Sequence, residues 1–425
     1  MPHYYLWTIG CQMNKAESER LGSLFEQRGY EPAASAEQAD IIVLNSCVVR
    51  QSAEDRVVNK LHAFKSLKRT RPGLALALTG CLVNSNTPQL KKDFPHVDYF
   101  FKPGERPDWL EKPERFRPLP LRPPPSVYVP IIRGCNNFCS YCIVPFRRGR
   151  EKSRPMAEIA GEVRELVQRG VKEVILLGQN VDSYGHDLPD SPDLADLLGE
   201  LNEIDGLARI RFLTNHPKDM SNKLIETVAS LDKVCKQLSL PVQSGSDDML
   251  KAMKRGYSVE SYCQLIASIR HQIQDVALST DVIVGFPSES EADFQQTFDL
   301  LARLKFDTVH VAAYSPRTGT LAAREFVDDV PDAEKKRRLS MVELLQEKIV
   351  AEINTRLSGQ KVEILVETKK DGKWQGRTKS DKLVFFTASD NYLGQVVSVT
   401  IEKTSPWSLQ GKLEKGCINQ NQEEK

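Results

Sequence analysis

The chain has 425 residues, 40% of them apolar and 27% charged, the balance of a globular protein with room for two or three domains. Its 58 Lys and Arg against 57 Asp and Glu leave a net charge of +1, so no global field draws it to nucleic acid and any such contact must come from local patches. No stretch approaches the ~20 apolar residues of a membrane span, and no apolar run follows a basic one at the N-terminus, so a soluble cytoplasmic protein with no membrane partner is expected.

The first 102 residues alternate short β-branched runs with helical stretches: YYLWTIG, NKAESERLGSLFEQRG, IIVLNSC, a helix over about 53–67, and LALALTGC. This βαβαβ order predicts a parallel sheet. Each of the three runs ends at a cysteine, Cys11, Cys47 or Cys81. Loops at the carboxyl ends of parallel strands converge on one edge, so these three thiols are expected to meet in space. Residues 103–126 hold eight of the chain's 24 prolines, which fix φ and remove amide donors; they read as a linker.

From residue 127 to 353 the alternation resumes with VYVPIIRGC, EVILLGQN, ARIRFLTNHP, KQLSLPVQSG, LSTDVIVGFP and TVHVAAYSP, separated by amphipathic stretches. Six βα units predict a partial (β/α)6 barrel. Polar residues gather at the strand ends: Gln179, Asn180, Thr214, His216, Gln243, Ser244, Asp281, Tyr314 and Ser315. In such barrels this rim carries the chemistry. A long charged helix follows, then five short alternating runs over residues 354–416 that predict a small antiparallel barrel. The last residues, 417–425, are polar and expected to be disordered.

Nine cysteines, an odd number with no secretory leader, argue against a disulfide framework and for metal or catalysis. RGCNNFCSYC places Cys135, Cys139 and Cys142 at spacing C-x3-C-x2-C directly after the first barrel strand. A structural zinc would take four ligands, and neither a fourth cysteine nor a C-x2-C partner pair lies nearby. Three thiolates can instead hold a 4Fe-4S cluster with one iron open, and this spacing resembles the signature of the radical S-adenosylmethionine superfamily. Cys11, Cys47 and Cys81 repeat the arithmetic, which suggests a second such cluster. Cys235, Cys263 and Cys417 have no such placement and read as buried or incidental thiols.

The stretches GCQMN, NSCVVR, TGC, IIRGCNNFCSYCIVPFRRGREKSRP, LLGQNVDSYG, LPVQSGSDDMLKAMKRGY, TDVIVGFPSESEADF and YSPRTGTLAA resemble, in order and spacing, the radical S-adenosylmethionine methylthiotransferase family. They span nearly the whole chain. The resemblance implies an N-terminal domain with an auxiliary 4Fe-4S cluster on Cys11, Cys47 and Cys81. It further implies a radical core with a 4Fe-4S cluster and S-adenosyl-L-methionine on Cys135, Cys139 and Cys142, and a C-terminal TRAM barrel that binds RNA. Tyr141 occupies a place where the superfamily usually has an aromatic, and Gln179 and Asn180 are expected at the cofactor's polar end.

GCQMN resembles the branch that methylthiolates C2 of N(6)-dimethylallyladenosine at position 37 of tRNA. The other branches act on threonylcarbamoyladenosine in tRNA or on an aspartate of a ribosomal protein. Asn215 stands where that pattern has Ser, and Thr318 where Pro is commoner. FRRGREKSR crowds basic residues directly after the cysteine loop, so Arg147, Arg148, Arg150 and Arg154, with Arg377 in the barrel, are expected to face RNA phosphates. A flavodoxin or ferredoxin is the expected electron donor, and a monomer the expected state. Two alternatives of other classes are a ferredoxin-like carrier, for which the chain is several times too long, and a non-catalytic iron–sulfur RNA-binding protein.

Overall fold

The computed structural model describes residues 1–49, 51–83, 87–105, 107, 110 and 119–414. Cys417, the other residues after 414 and part of the proline-rich segment, 106, 108–109 and 111–118, lie outside them. Among the described residues no helix is long and apolar enough to cross a membrane.

The N-terminal unit runs β1 (His3–Thr8), α1 (Gln12–Gln27), β2 (Glu31–Pro32), β3 (Ile41–Ser46), α2 (Gln51–Thr70), β4 (Ala75–Gly80), α3 (Thr87–Asp93) and β5 (Tyr99–Phe100). The strands form one parallel sheet in the order β2-β1-β3-β4-β5. All six residues of β3 are buried because helices cover both faces. Ile42, Leu44, Leu76 and Leu78 pack on Val57, Leu61 and Phe64 of α2, while Ile41, Val43 and Ala77 pack on Leu21, Leu24 and Phe25 of α1.

In the central unit, β6 (Ser126–Pro130) runs into the short β7 (Ile132–Arg133). A loop carrying α4 (Val144–Arg148) follows and returns through β8 (Lys152–Ser153), which pairs antiparallel with β7. Then come α5 (Met156–Gln168), β9 (Glu173–Leu177), α6 (Leu194–Asn202), β10 (Arg209–Phe212), α7 (Asn222–Ser230), β11 (Gln237–Ser239), α8 (Asp247–Ala252), α9 (Val259–Gln272), β12 (Ala277–Val284), α10 (Glu291–Leu304), β13 (Thr308–Ala313), α11 (Leu321–Glu325) and α12 (Asp332–Thr355). Two parallel triplets, β6-β9-β10 and β11-β12-β13, are joined by a parallel bridge between Ile210 and Val234. The expected six-stranded partial barrel is therefore present. One core fills it, with Val129, Val174, Leu176, Ile210, Leu238 and Val282 facing helix residues such as Ile159, Leu197 and Phe294.

The C-terminal unit is a closed barrel of β14 (Lys361–Lys370), β15 (Lys373–Thr378), β16 (Leu383–Phe386), β17 (Val396–Thr404) and β18 (Leu409–Leu413), in the order β14-β15-β16-β18-β17. The predicted small antiparallel barrel is present, with one parallel pair, β16 and β18, closing it. The reason is topological: an odd number of strands cannot alternate direction all the way round a ring.

Two buried arginines of β10 hold this barrel on the central unit. Arg209 donates to the Arg377 carbonyl (2.6 Å) and to Glu363 Oε1 (3.0 Å). Arg211 donates to the carbonyls of Thr378 (3.1 Å) and Lys379 (3.2 Å) and pairs with Glu173, itself only 1% exposed.

Candidate functional site: two cysteine sets about one cavity

Cys11, Cys47 and Cys81 follow the carboxyl ends of β1, β3 and β4 on one edge of the N-terminal sheet, and buried polar groups fix the three loops to one another. Asn14 donates through Nδ2 to Asn45 Oδ1 (2.9 Å) and to the Ser46 carbonyl (3.0 Å), while Asn45 Nδ2 returns to the Asn14 carbonyl (2.8 Å). Ser46 Oγ donates to the Thr79 carbonyl and accepts from Leu82 N, and its carbonyl accepts from Cys81 N. Gly80, at φ 91°, allows the approach: a Cβ there would lie 2.3 Å from the Ser46 carbonyl oxygen. Sequence reasoning passed over Asn14, Asn45 and Ser46, although GCQMN and NSC carry them.

The second set lies in the loop between β7 and β8. Gly134 opens it at φ 80°, where a Cβ would meet the Arg150 carbonyl oxygen at 2.0 Å, so only glycine fits. Gln179, after β9, accepts from Gly134 N through Oε1 (2.5 Å). Asn180 donates to Asp219 (2.7 Å), which also accepts from Asn137 inside the cysteine loop (3.3 Å). The strand-end residues thus brace the loop, and Asn180 Oδ1 is left buried without a partner. Thr214 and Gln243 hold positive φ at the ends of β10 and β11, strain of the kind that persists where the surroundings overdetermine it.

The thiols sit in electrostatic reach of one another within each set. Burial, then the neighbouring thiol, pushes Cys142 up to about 12, and burial lifts Cys81 and Cys135 to about 11 and raises Cys47. Such groups ionise only beside strong positive charge. All six are free thiols. Among the described residues no three His, Cys, Asp or Glu side chains gather as a single metal ion requires. A four-iron cluster is wider than one ion, so its three ligands stand further apart, and three soft sulfurs on one loop fit it.

A cavity of about 540 Å³ is lined by Cys142 of the second set and by residues that follow Cys47 of the first. Val49, Gln51 and Ser52, which follow Cys47, line one wall, and Tyr141, Cys142, Ile143 and Val144 another. Arg317 also lines it, donating to Gln51 Oε1 (3.1 Å). Tyr141 packs against Met249, Met253, Phe286 and Tyr314.

The basic residues divide. Arg148 turns inward, with a side chain 5% exposed that pairs with Glu17 of α1 at 2.6 Å. Arg154 is bound to Glu158, Glu162 and the Pro130 carbonyl. Both guanidiniums are held on carboxylates, Arg148 with little solvent contact and Arg154 with its side chain 19% exposed. Arg150 is exposed with its guanidinium 4.2 Å from the Phe138 ring, and Arg147 is half-buried beside the exposed Phe146. Arg377 is partly exposed and pairs with Asp381 (3.2 Å). The exposed cations of the barrel include Lys370 and Lys373 on the β14–β15 hairpin, with Lys369 beside them over the Trp374 ring at 4.9 Å.

A partial parallel barrel with a three-cysteine loop after its first strand, joined to a small closed barrel, defines a radical S-adenosylmethionine enzyme. The radical SAM superfamily profile matches residues 129–301, the uncharacterized protein family UPF0004 profile residues 3–102, and the TRAM domain profile residues 355–413. Curated relatives include a tRNA-2-methylthio-N(6)-dimethylallyladenosine synthase of Dehalococcoides mccartyi, 59% identical over 97% of this chain and 99% of its own length. Another of that description, from Chloroflexus aurantiacus, is 50% identical over 96% of this chain and 91% of its own. The chain belongs to the family that these synthases form. Among solved structures, the fold resembles the radical S-adenosylmethionine methyltransferase TsrM from Kitasatospora setae (TM-score 0.52, 12% identity, 88% of this chain and 81% of that one). It also resembles the cobalamin-dependent radical enzyme OxsB (TM-score 0.51, 12% identity, 81% and 56%).

Proposed function

We propose that the protein adds a methylthio group to C2 of N(6)-dimethylallyladenosine at position 37 of tRNA. Its relatives carry that activity in their descriptions over nearly the full chain. The observation that supports the reading is the cavity that Cys142 lines together with Val49, Gln51 and Ser52, the residues that follow Cys47, since a base inserted there meets the second set and the loop of the first.

In this reading residues 1–102 hold an auxiliary 4Fe-4S cluster on Cys11, Cys47 and Cys81. Residues 127–353 hold the other cluster on Cys135, Cys139 and Cys142, and residues 354–416 contact RNA. When bound, the clusters and S-adenosyl-L-methionine supply methyl transfer to sulfur, reductive cleavage of a sulfonium and hydrogen abstraction from carbon. The chain's own residues position and shield. Gln179 fixes the cysteine loop at Gly134, and Asn180 offers its unpartnered Oδ1 to a cofactor amino group. Tyr141 and Val144 wall the cavity with apolar surface on which an isoprenoid-bearing base can be buried at ~25 cal/mol per Å2. Arg147 and Arg150 meet phosphates beside its mouth, while Arg377 and the hairpin lysines extend the contact from the barrel. A flavodoxin or ferredoxin delivers electrons to a monomer.

The test removes one set at a time. Cys139→Ala is expected to retain about half of eight irons and to form no 5'-deoxyadenosine. Cys47→Ala is expected to retain the same amount of iron and still cleave S-adenosyl-L-methionine. Equal loss of cleavage, with the remaining cluster intact in both, rejects this division of labour.

A further inference from the structure

Arg255 lies between α8 and α9 and is 4% exposed. Every partner of its guanidinium is a neutral oxygen or a sulfur: Nε donates to Tyr257 Oη (2.9 Å) and Nη2 to the Pro241 carbonyl (2.8 Å). Nη1 donates to Cys139 Sγ (3.2 Å) and Tyr141 Oη (3.4 Å). Other buried arginines of this chain have carboxylates, Arg148 with Glu17, Arg211 with Glu173 and Arg338 with Glu289. Arg255 forms no ion pair with a described Asp or Glu. A buried cation without a counter-ion is costly, and proteins retain one where something anionic completes it. The Tyr257 phenol is nearer, but burial disfavours its ionisation as it does that of Tyr141, so the Cys139 sulfur is the contact left to carry negative charge once it ligates the cluster.

We propose that Arg255 is the counter-cation of the cluster held by Cys135, Cys139 and Cys142, a positioning residue that sets the cluster's reduction potential through its N–H···S contact with Cys139. Reduction adds negative charge to the cluster, so a fixed positive charge at a ligand sulfur favours the reduced form, and hydrogen bonds to cluster sulfurs are an established lever on potential. The fork geometry matters as well. Nε and Nη2 are held by Tyr257 and Pro241, and that leaves Nη1 aimed at the sulfur. The proposal rests on the assignment of this cysteine set to the cluster. Iron content tests that assignment separately.

The experiment uses the full-length Cys47→Ala variant, reconstituted with iron and sulfide, so that one cluster reports, and follows its midpoint by EPR during redox titration. Arg255→Gln is expected to keep its iron while the ratio of reduced to oxidised cluster at the parent midpoint falls at least ~5-fold. That is the effect of a unit charge about 4 Å away even with bulk-water screening. Arg255→Lys, which keeps the charge and loses the fork, is expected to fall in between. If Arg255→Gln loses its iron, iron retained by Arg255→Lys with a midpoint near the parent's still supports the counter-cation role. An unchanged midpoint in Arg255→Gln, or loss of iron from both variants, overturns it. A Cys47→Ala parent that binds no iron at all overturns the cluster assignment instead.

Discussion

Replacing Arg211 by Ala tests how the C-terminal barrel is held. Arg211 and Glu173 are 3% and 1% exposed and meet at 3.4 Å. The same guanidinium donates to the carbonyls of Thr378 and Lys379 across the unit boundary. Removing it strands a buried carboxylate whose Oε2 already lacks a partner and whose Oε1 keeps only Ser126 Oγ. Loss of one partner from a buried pair costs ~3–5 kcal/mol. Arg209 is the control. Its carboxylate, on Glu363, is 51% exposed and is rescued by water, so Arg209→Ala loses mainly hydrogen bonds, about 1–2 kcal/mol. Urea unfolding of the full chain, read through tryptophan fluorescence to which the buried Trp374 of the barrel contributes, measures both. Arg211→Ala is expected to unfold well before Arg209→Ala, and the double variant Arg211→Met with Glu173→Leu to recover most of the loss. Equal shifts for the two single variants, or no recovery in the double, refute the argument.

Burial raises Asp182 to about 7 and, with the Arg255 charge, lowers its neighbour His216 to about 3. The Asp182 contribution to stability is full below about pH 4 and lost as pH rises towards 7, whereas that of His216 is full above about 6.5 and lost as pH falls towards 3. Asp182→Asn removes the first slope. Its stability relative to wild type is therefore expected to climb between about pH 4 and 7 and then level in urea unfolding, and a pH-independent difference contradicts the assignment. Replacing Lys369, Lys370 and Lys373 by Gln is expected to reduce the slope of log tRNA affinity against log salt by about 2 to 3 if each meets a phosphate. An unchanged slope removes this hairpin from the RNA interface.

Much of the architecture was legible because strand period and loop placement are local. Three β-branched runs each ending at a cysteine are enough to bring Cys11, Cys47 and Cys81 to one sheet edge. The six strands of the central barrel follow from the same alternation. The directions of charged side chains were not legible. FRRGR reads as a basic patch, yet Arg148 finds Glu17, 131 positions earlier, and its neighbour Arg150 finds the Phe138 ring. Arg255 is likewise silent in sequence, since its sulfur partner lies 116 positions away. Asn14 and Asn45 could have been found: an amide within three residues of a cysteine in each of two equivalent strand-end segments is a local signal for cross-loop bonds. The parallel β16–β18 pair needed only the count of strands in a closed ring.

The central claim is tested most directly on the nucleoside itself. Purified protein, reconstituted with iron and sulfide, reduced and supplied with S-adenosyl-L-methionine, is incubated with tRNA bearing dimethylallyladenosine and with the same tRNA lacking the isoprenoid. Mass spectrometry of the digested nucleosides is expected to show a methylthio group on the first and little or none on the second, because the apolar group supplies the surface that the cavity buries. Equal turnover of the two tRNAs, or turnover only with threonylcarbamoyladenosine or a ribosomal protein, would contradict the account.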